Sequence, residues 1–594
     1  MKNYIYKAAS VILMTLTIAS CENDLLTTVN PNSMTNESFW KTKDDFTKGL
    51  NAMYGALQLP NVSGSGMHFE ILRSDLAGTE AWYGNQNEFV QLKWSDGSGY
   101  VNQRWSELYA GIFRANQVIH YTELTNVLSD SEKDMTLAQA RFMRAYCYFW
   151  LVNAYEGVVV HDKLAMTPDE MHKPLSPKTE VISKIINDLE YAQEILPKTW
   201  DDDNLGRFTW GAAKAMLGKT YLFNKDFDKA NSYFKTIVDE AERTGLYKLV
   251  PNFIDNFTTD AEFNSESVLE VSFSDNYKPG TNGNSHDEIN GSEAIGISTG
   301  FATIFAGGYN STLPTYWCQE LFVAAEEMDP ANAWTSNHKR SMRTYATLAV
   351  EFADGDYYQA PLTPDTVPET GEITAAKTNF NFGQSSKVKK WTRWDRVPNE
   401  DANTGGRTGI NYRAIRYADI LLMYAETLIA QGDVAAAIKY IDQVRTRAGV
   451  ITLSSYMADN GGKIPQLHIS NFANSMSDYN YVDANAENVM IHLQMVERVL
   501  ELAFEGHRWY DLVRWGKAKE TFDNHWTEEK KLRVILCGSE DKGTIPSGTA
   551  KIYPLFLNER VRPDFEMPSK SYTSTSHDYF PIPSCEKSSN NALK

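Results

Sequence analysis

Cysteine is scarce in this chain, which has five in 594 residues, at positions 21, 147, 318, 537 and 585. No two of them form a C-x-x-C pair, so the sequence predicts neither a disulfide framework nor a cysteine-based zinc site. The 11 histidines show no clustering at the spacing of metal ligands. We therefore expect no metal centre and no cofactor.

Positive charge is also in short supply. The chain has 57 lysines and arginines against 76 acids, a net charge of −19. Residues 1–20 contain two lysines and no acid, so without them the charge is −21. Nucleic acids require basic surfaces, and the composition therefore excludes them as partners.

No apolar run is long enough to cross a bilayer, which takes about 20 residues. The longest uncharged stretch at the N-terminus, "AASVILMTLTIAS" (8–20), has 13 residues and follows Lys2 and Lys7. This order is typical of a secretory signal peptide. The letters "IASC" that end it resemble a bacterial lipobox, in which the cysteine is acylated. We predict a signal peptide over 1–20 and lipidation at Cys21; the alternative is a buried N-terminal helix.

What the chain does contain is helical periodicity. The stretches 137–155 and 179–197 repeat apolar residues at helical spacing. Residues 211–237 contain L-G-x-x-Y, ending at Tyr221, and then A-x-x-x-F, ending at Phe234. This is the pattern of a tetratricopeptide (TPR) helix pair, and 417–449 holds a looser copy with Ala425 in the place of the glycine.

The region between the two copies has little helical period and is rich in Gly, Asn, Asp and Thr. We therefore predict a mainly α protein with a TPR-like helical-repeat scaffold. The scaffold covers about 35–250 and 411–594, and a loop-rich insertion covers about 251–410, within one domain over 21–594. Ligand-binding residues tend to lie on loops that such a frame supports.

Several segments closely resemble a known family. "RYADILLMYAETL" (416–428) and "VERVLELAFEGHRWYDLVRWGKA" (496–518) are similar to the two hallmark segments of the SusD/RagB family. "CENDLL" (21–26), "GRFTWGAAKAMLGKTYL" (206–222) and "YFPIPSCE" (579–586) agree with it in the same order. The resemblance implies an outward-facing lipoprotein of the outer membrane in Bacteroidetes. Such a protein captures glycans and passes them to a SusC-like TonB-dependent transporter.

The 496–518 segment contains Glu505, His507 and Asp511, which together suggest acid–base catalysis. Each acid has an arginine nearby that would keep it ionised, which is poor preparation for a general acid. We therefore predict one salt-bridged helix and no enzyme. A G-x-S-x-G match at 296–300 lacks the preceding strand that a nucleophile elbow needs. The alternative is an anchored glycoside hydrolase with a carboxylate pair in the loop-rich region.

Two aromatic stretches outside the helical periods are candidate ligand sites. They are "RSDLAGTEAWYGNQNEF" (73–89) and "GGYNSTLPTYWCQ" (307–319). Flat rings stack on the C–H faces of sugars, while amides and carboxylates bind the hydroxyls. The family resemblance implies that the two loops converge on the ligand. The candidates are Asp75, Trp82, Tyr83, Asn85, Tyr309, Tyr316 and Trp317; the alternative is that these aromatics fill the core of the loop region.

Overall fold

A computed structural model describes residues 39–274, 294–302, 308–363, 380, 386–395, 407–466, 480–549, 557 and 559–593. Helices dominate this part of the chain and the strands are short, so the prediction of a mainly α fold is confirmed. The predicted signal peptide and Cys21 lie outside the described residues. Among the helices that are described, none is long and apolar enough to cross a membrane.

The first part of the chain is built from helices of two to seven turns and from shorter pieces. These are α1 (Lys43–Tyr54), α2 (Pro60–Ser63), α3 (Met67–Leu72), α4 (Gly84–Val90), α5 (Gly99–Leu124), α6 (Asp130–Tyr155), α7 (Pro168–Met171), α8 (Lys178–Ile195), α9 (Trp210–Phe223) and α10 (Phe227–Thr244). Helix α6 contains the predicted stretch 137–155, and α8 covers the predicted stretch 179–197 as far as Ile195. A capping box between Ser129 and Glu132 fixes the start of α6.

The remaining helices are short in the loop-rich region and of mixed length after it. They are α11 (Ser298–Phe301), α12 (Tyr316–Ala324), α13 (Met342–Thr347), α14 (Tyr417–Ala430), α15 (Val434–Ala448), α16 (Leu453–Asp459), α17 (Ala486–His492), α18 (Arg498–Leu502), α19 (Arg508–Trp515), α20 (Ala518–Cys537), α21 (Glu566–Ser571), α22 (Ser574–His577) and α23 (Ser584–Ser589).

The strands form two-stranded antiparallel pairs. They are β1 (Ala77–Gly78) with β3 (Leu313–Pro314), β2 (Ser267–Val271) with β8 (Tyr412–Arg416), β4 (Leu348–Val350) with β7 (Ser386–Val388), β5 (Asp356–Tyr357) with β6 (Ala360–Pro361), and β9 (Lys463–Gln466) with β10 (Asn480–Asp483). Because β2 pairs with β8, the chain between them leaves the helical frame and returns to the same place. Most of the predicted insertion lies within this excursion.

The long helices pack one against the next to make the frame. Helix α5 packs on α6, α6 on α8, α8 on α9, α9 on α10, α10 on α14 and α14 on α15. Both predicted repeat copies are helix pairs, α9 with α10 and α14 with α15. A Cβ at Gly218 would lie 2.6 Å from Cε1 of Phe234, so the close approach of α9 and α10 requires glycine.

The 496–518 segment is not one helix, as the sequence predicts, but two. Helix α18 ends at Leu502 and α19 begins at Arg508. Between them Phe504 and Gly506 take positive φ angles of 64° and 87°. The carbonyls freed by the break are bonded by buried side chains, since Trp391 Nε1 donates to Phe504 O at 2.9 Å. These distant donors stabilise a break that local periodicity does not reveal.

The predicted salt bridges of this segment are present but lie in the interior. Arg416 donates to both carboxylate oxygens of Glu505 at 2.8 Å, and Lys390 Nζ donates to one of them at 2.9 Å. Burial alone would raise the pKa of Glu505, but Arg416 and Lys390 lower it to about 2. Asp511 likewise accepts from Arg498 and Arg514, which lower its pKa against the effect of burial. The network joins α18 and α19 to β8, which contains Arg416, and to Lys390, which follows β7.

Candidate ligand-binding cleft

The two loops that carry the predicted ligand contacts meet in the folded chain. Strand β1 pairs with β3 so that Ala77 lies opposite Pro314. Just after β1, the Thr79 hydroxyl donates to the Ser311 carbonyl at 2.5 Å. Residues more than 200 positions apart are therefore fixed side by side next to α4, and the paired residues are themselves buried.

Tyr309 has an exposed side chain and a backbone that is hydrogen-bonded on both sides. Its N–H donates to the Thr299 carbonyl at 2.7 Å, and its carbonyl accepts from the Tyr83 hydroxyl at 2.5 Å. Tyr309 and Trp82 are each 61% exposed, and the Trp82 ring centroid lies 6.1 Å from that of Tyr83. Three aromatic side chains from two loops thus share one surface.

A cleft of about 310 Å³ opens beside these rings. Its described walls come from α4, from the first turn of α5, from residues between 60 and 69, from α11, and from Tyr309 and Ser311. The described lining combines aromatic and mainly neutral polar side chains, including Asn61, Ser65, His68, Phe69, Asn85, Gln86, Glu88, Tyr100, Gln103, Thr299, Tyr309 and Ser311.

His68 supports the base of the cleft. Its Nε2 accepts a hydrogen bond from the Gly300 N–H at 3.3 Å, and its Nδ1 lies 3.2 Å from the Thr312 hydroxyl. A Cβ on Gly300 would lie 2.4 Å from Cε1 of His68, so this approach requires glycine. Burial lowers the pKa of His68 to about 4, which leaves the ring neutral at neutral pH.

The cleft suits a flat ligand that is rich in hydroxyl groups. Exposed aromatic rings offer stacking surfaces, and amide and hydroxyl side chains both donate and accept hydrogen bonds. Glu88 is the one carboxylate in the described lining. The contacts that shape the cleft are already formed on a helical frame.

Comparison with known families agrees with this architecture. A model described as the SusD family matches residues 265–594, which is more than half of the chain. The chain belongs to the SusD family. A second model, described as starch-binding associating with outer membrane, matches residues 27–222. The resemblance that the hallmark segments carry is therefore confirmed.

SusD-family relatives extend over nearly the whole chain. SusD-like protein P2 of Formosa agariphila is 26% identical over 524 residues, which are 87% of this chain and 92% of the relative. A SusD superfamily protein of Bacteroides vulgatus superposes with a TM-score of 0.67 at 20% identity, covering 93% and 98% of the two chains. Surface glycan-binding protein A of Bacteroides thetaiotaomicron, solved with laminarihexaose, gives 0.60 at 17% identity over 93% and 99%. At these identities the superpositions establish the fold.

Asp75 is not part of the cleft in this SusD-family chain. It is fully buried, and its two carboxylate oxygens accept from Arg508 at 2.8 Å each. Burial alone would raise the pKa of Asp75, but Arg508 and a hydrogen bond from His525 lower it. The prediction that Asp75 contacts a ligand is therefore corrected: this carboxylate ties the first loop to α19.

The predictions that Tyr316 and Trp317 contact a ligand are also corrected. Both lie in α12, a helix that the sequence prediction treats as loop, and both are buried. The Tyr316 hydroxyl donates to the His525 carbonyl at 2.5 Å, and the Trp317 ring centroid lies 4.4 Å from that of His525. For these two residues, the alternative that aromatics fill the core of the loop region holds.

The other four candidates come together. Trp82, Tyr83, Asn85 and Tyr309 surround or adjoin the cleft, and their contact with a ligand stays a prediction. Sequence reasoning missed His68, Gln86, Glu88 and Gln103, which line the same cleft. Gln86 and Glu88 lie inside the 73–89 stretch, in a continuous run of four polar residues (85–88) that gives no reason to select one over another.

A second cavity, of about 400 Å³, lies between α5, residues 161–172 and α23. Its walls include Trp105 and Phe113. Its carboxylate, Glu586, already accepts from Trp105 Nε1 at 3.1 Å and from the Asn590 amide at 2.7 Å. The aromatic cleft is the better candidate for a hydroxyl-rich ligand because the exposed rings of Trp82 and Tyr309 lie beside it.

Proposed function

We propose that this protein is a non-catalytic cell-surface lipoprotein that binds an oligosaccharide or polysaccharide. The observation that carries the proposal is the pair of exposed rings, Trp82 and Tyr309, beside a cleft lined by neutral polar side chains. Membership of the SusD family supports it, as does the laminarihexaose complex of one structural neighbour. The alternative is a surface-anchored glycoside hydrolase.

The arrangement of carboxylates favours binding over hydrolysis. A glycosidase needs two carboxyl groups flanking the scissile bond, whereas the described lining of the cleft has Glu88 alone. Glu505 and Asp511 are buried and held ionised by arginines. Ser298, in the G-x-S-x-G match, is buried in a four-residue helix.

A panel of polysaccharides tests the two functions together. Purified full-length protein in mild detergent is run on affinity gels that contain starch, laminarin, xylan, mannan or levan, and each mixture is assayed for new reducing ends. We expect retardation by at least one glycan with no increase in reducing ends. Release of reducing ends that grows with protein concentration would support the hydrolase instead.

Delivery to a transporter completes the proposal. We infer that the protein is anchored through a lipid on Cys21, faces outward and associates with a SusC-like TonB-dependent barrel in the outer membrane. The description of the second family model, which names the outer membrane, supports the location. A stable complex of this kind buries about 2,000 Å² or more. Purification of the tagged protein in mild detergent should recover a much larger barrel protein; recovery of this chain alone would contradict the association.

A further inference from the structure

The aromatic cleft is notable for the charge of its lining. Among the described residues that line it, the polar side chains are amides and hydroxyls, with His68 and Glu88 in addition and no lysine or arginine. Burial keeps His68 neutral at neutral pH. A bound anion would therefore find no cationic side chain in this lining, and sites for carboxylate and sulfate groups usually supply one.

Cations near the cleft face protein partners. Lys387 Nζ donates to Asn310 Oδ1 at 2.9 Å, directly beside Tyr309 in the chain. Arg560 forms an ion pair with Glu80, next to the first aromatic loop. Arg407 is not part of the described cleft lining.

Glu88 is the one acidic side chain in the described lining of the cleft, which also includes Gly99 and Tyr100 in the first turn of α5. Helix α5 is 26 residues long, and its N-terminal end carries positive partial charge. Ser98 precedes that end, and its Oγ accepts from the Ser95 N–H at 2.9 Å. Burial raises the pKa of Glu88, and the Ser98 hydrogen bond opposes that shift.

We infer that the cleft selects uncharged glycans and that Glu88 is the specificity-determining residue that excludes sulfated and uronate-rich chains. The inference rests on the proposed function, because it concerns the ligand class of the same cleft. An uncharged sugar can stack on Trp82 and Tyr309 and bind the amides without approaching an unpaired charge. An anionic sugar in the same position meets the Glu88 carboxylate, and burying a charge without a partner is costly.

A first experiment compares ligand classes. Full-length protein is titrated calorimetrically at physiological salt with neutral glycans (starch, laminarin, xylan, mannan, levan) and with anionic ones (alginate, pectin, chondroitin sulfate). We expect the tightest ligand to be neutral. An anionic glycan as the tightest ligand would overturn the inference and leave the proposed function standing, whereas no binding to any glycan would overturn the proposed function itself.

A second experiment tests Glu88 with a matched pair of ligands. The neutral glycan that binds best is sulfated chemically, and both forms are titrated against wild type, Glu88→Gln and Glu123→Gln. Glutamine keeps an acceptor oxygen and removes the charge. Glu123 is an exposed acid near the C-terminal end of α5, about 30 Å along that helix from Gln103 at 1.5 Å per residue. Its variant therefore controls for the change in net charge.

Wild type should bind the sulfated form more weakly than its parent. Glu88→Gln should raise the affinity for the sulfated form relative to that for the parent about fivefold, the effect of one like charge at close range in water. Glu123→Gln should change neither. Equal binding of both forms by wild type, or equal behaviour of the two variants, would overturn the inference.

Discussion

At the scale of the residue, Trp317 shows how an aromatic side chain can serve the fold. It is fully buried, its ring lies 4.4 Å from that of His525, and the Arg508 guanidinium lies 5.6 Å from its centroid. Trp317→Ala should lower the free energy of unfolding by about 3–5 kcal/mol, as large-to-small core substitutions do. Urea denaturation measures this, with Tyr309→Ala as the exposed control. Equal stability of the two variants would contradict the burial of Trp317.

His68 makes a residue-scale prediction about pH. Its pKa in the folded chain, about 4, lies below the usual 6.5, so the folded state binds fewer protons and stability falls as pH drops from 6.5 to 4. Each unit of pKa difference corresponds to about 1.4 kcal/mol. The difference in unfolding free energy between wild type and His68→Gln should therefore shrink across this window.

The pKa values of two other buried groups shift in the opposite direction. Burial raises the pKa of Glu320 and of Glu529, whose contributions to stability are lost as pH rises. The contributions of Glu320 and Glu529 are the same in wild type and His68→Gln, so they cancel in the difference in unfolding free energy between the two proteins. A difference that stays constant from pH 6.5 to pH 4 would show that His68 titrates normally in the folded protein.

Single residues also show which positions could be predicted from the sequence and which could not. The sequence predicts that the 73–89 stretch is a surface loop rich in polar and aromatic residues, and the positions of Trp82 and Tyr83 agree with that prediction. Asn85 is exposed but lies in α4, so for this residue the loop prediction is wrong. Asp75 lies in the same stretch, but its partner Arg508 is 433 residues away. No local pattern reveals an ion pair of that separation, so burial of the acid could not be predicted.

At the scale of the element, the helix pair α9–α10 depends on one glycine. A Cβ at Gly218 would lie 2.6 Å from the Phe234 ring. Gly218→Ala should therefore destabilise the protein by about 1–3 kcal/mol, the usual effect of overpacking, although alanine favours helix. Gly55 has a helical φ of −57° and its Cβ would meet nothing closer than 3.8 Å, so Gly55→Ala is the matched control.

Thermal unfolding separates these two variants. The loss at Gly218 should diminish in the double variant Gly218→Ala/Phe234→Leu, because the smaller side chain vacates the space. Additive losses in the double variant would mean that the two residues do not touch.

Elements differ in how well the sequence predicts them. The motifs around Tyr221 and Phe234 indicate the α9–α10 pair because both helices and their contacts are local. Helix α12 was missed although Thr315 caps it and Trp317 and Leu321 have helical spacing, because the preceding Gly, Asn and Pro letters suggested a loop. The break between α18 and α19 depends on donors such as Trp391, more than 100 residues away.

At the scale of the whole molecule, the proposed anchor defines where the protein works. If Cys21 carries the lipid, Cys21→Ala should leave the protein soluble or unprocessed, while wild type sediments with outer membranes. Acyl chains contribute about 0.8 kcal/mol per buried CH₂, so several chains hold a protein firmly. Cell fractionation and immunoblotting measure the distribution, and Cys585→Ala is the control cysteine. Unchanged sedimentation of Cys21→Ala would contradict the lipid anchor.

The central claim is that the loops bind the glycan and the buried helices support them. To test it, the affinity for the best-binding glycan is measured by calorimetry, and the melting temperature is measured on the same samples. The variants are Trp82→Ala, Tyr309→Ala and Glu505→Gln. Phe113→Ala is the control for an exposed aromatic residue outside the cleft. The two loop variants should bind about tenfold more weakly and melt as wild type does, since each loses a stacking ring. Glu505→Gln should melt lower and keep its affinity, and Phe113→Ala should change neither. Wild-type affinity in both loop variants, or weak binding by a fully stable Glu505→Gln, would contradict the account.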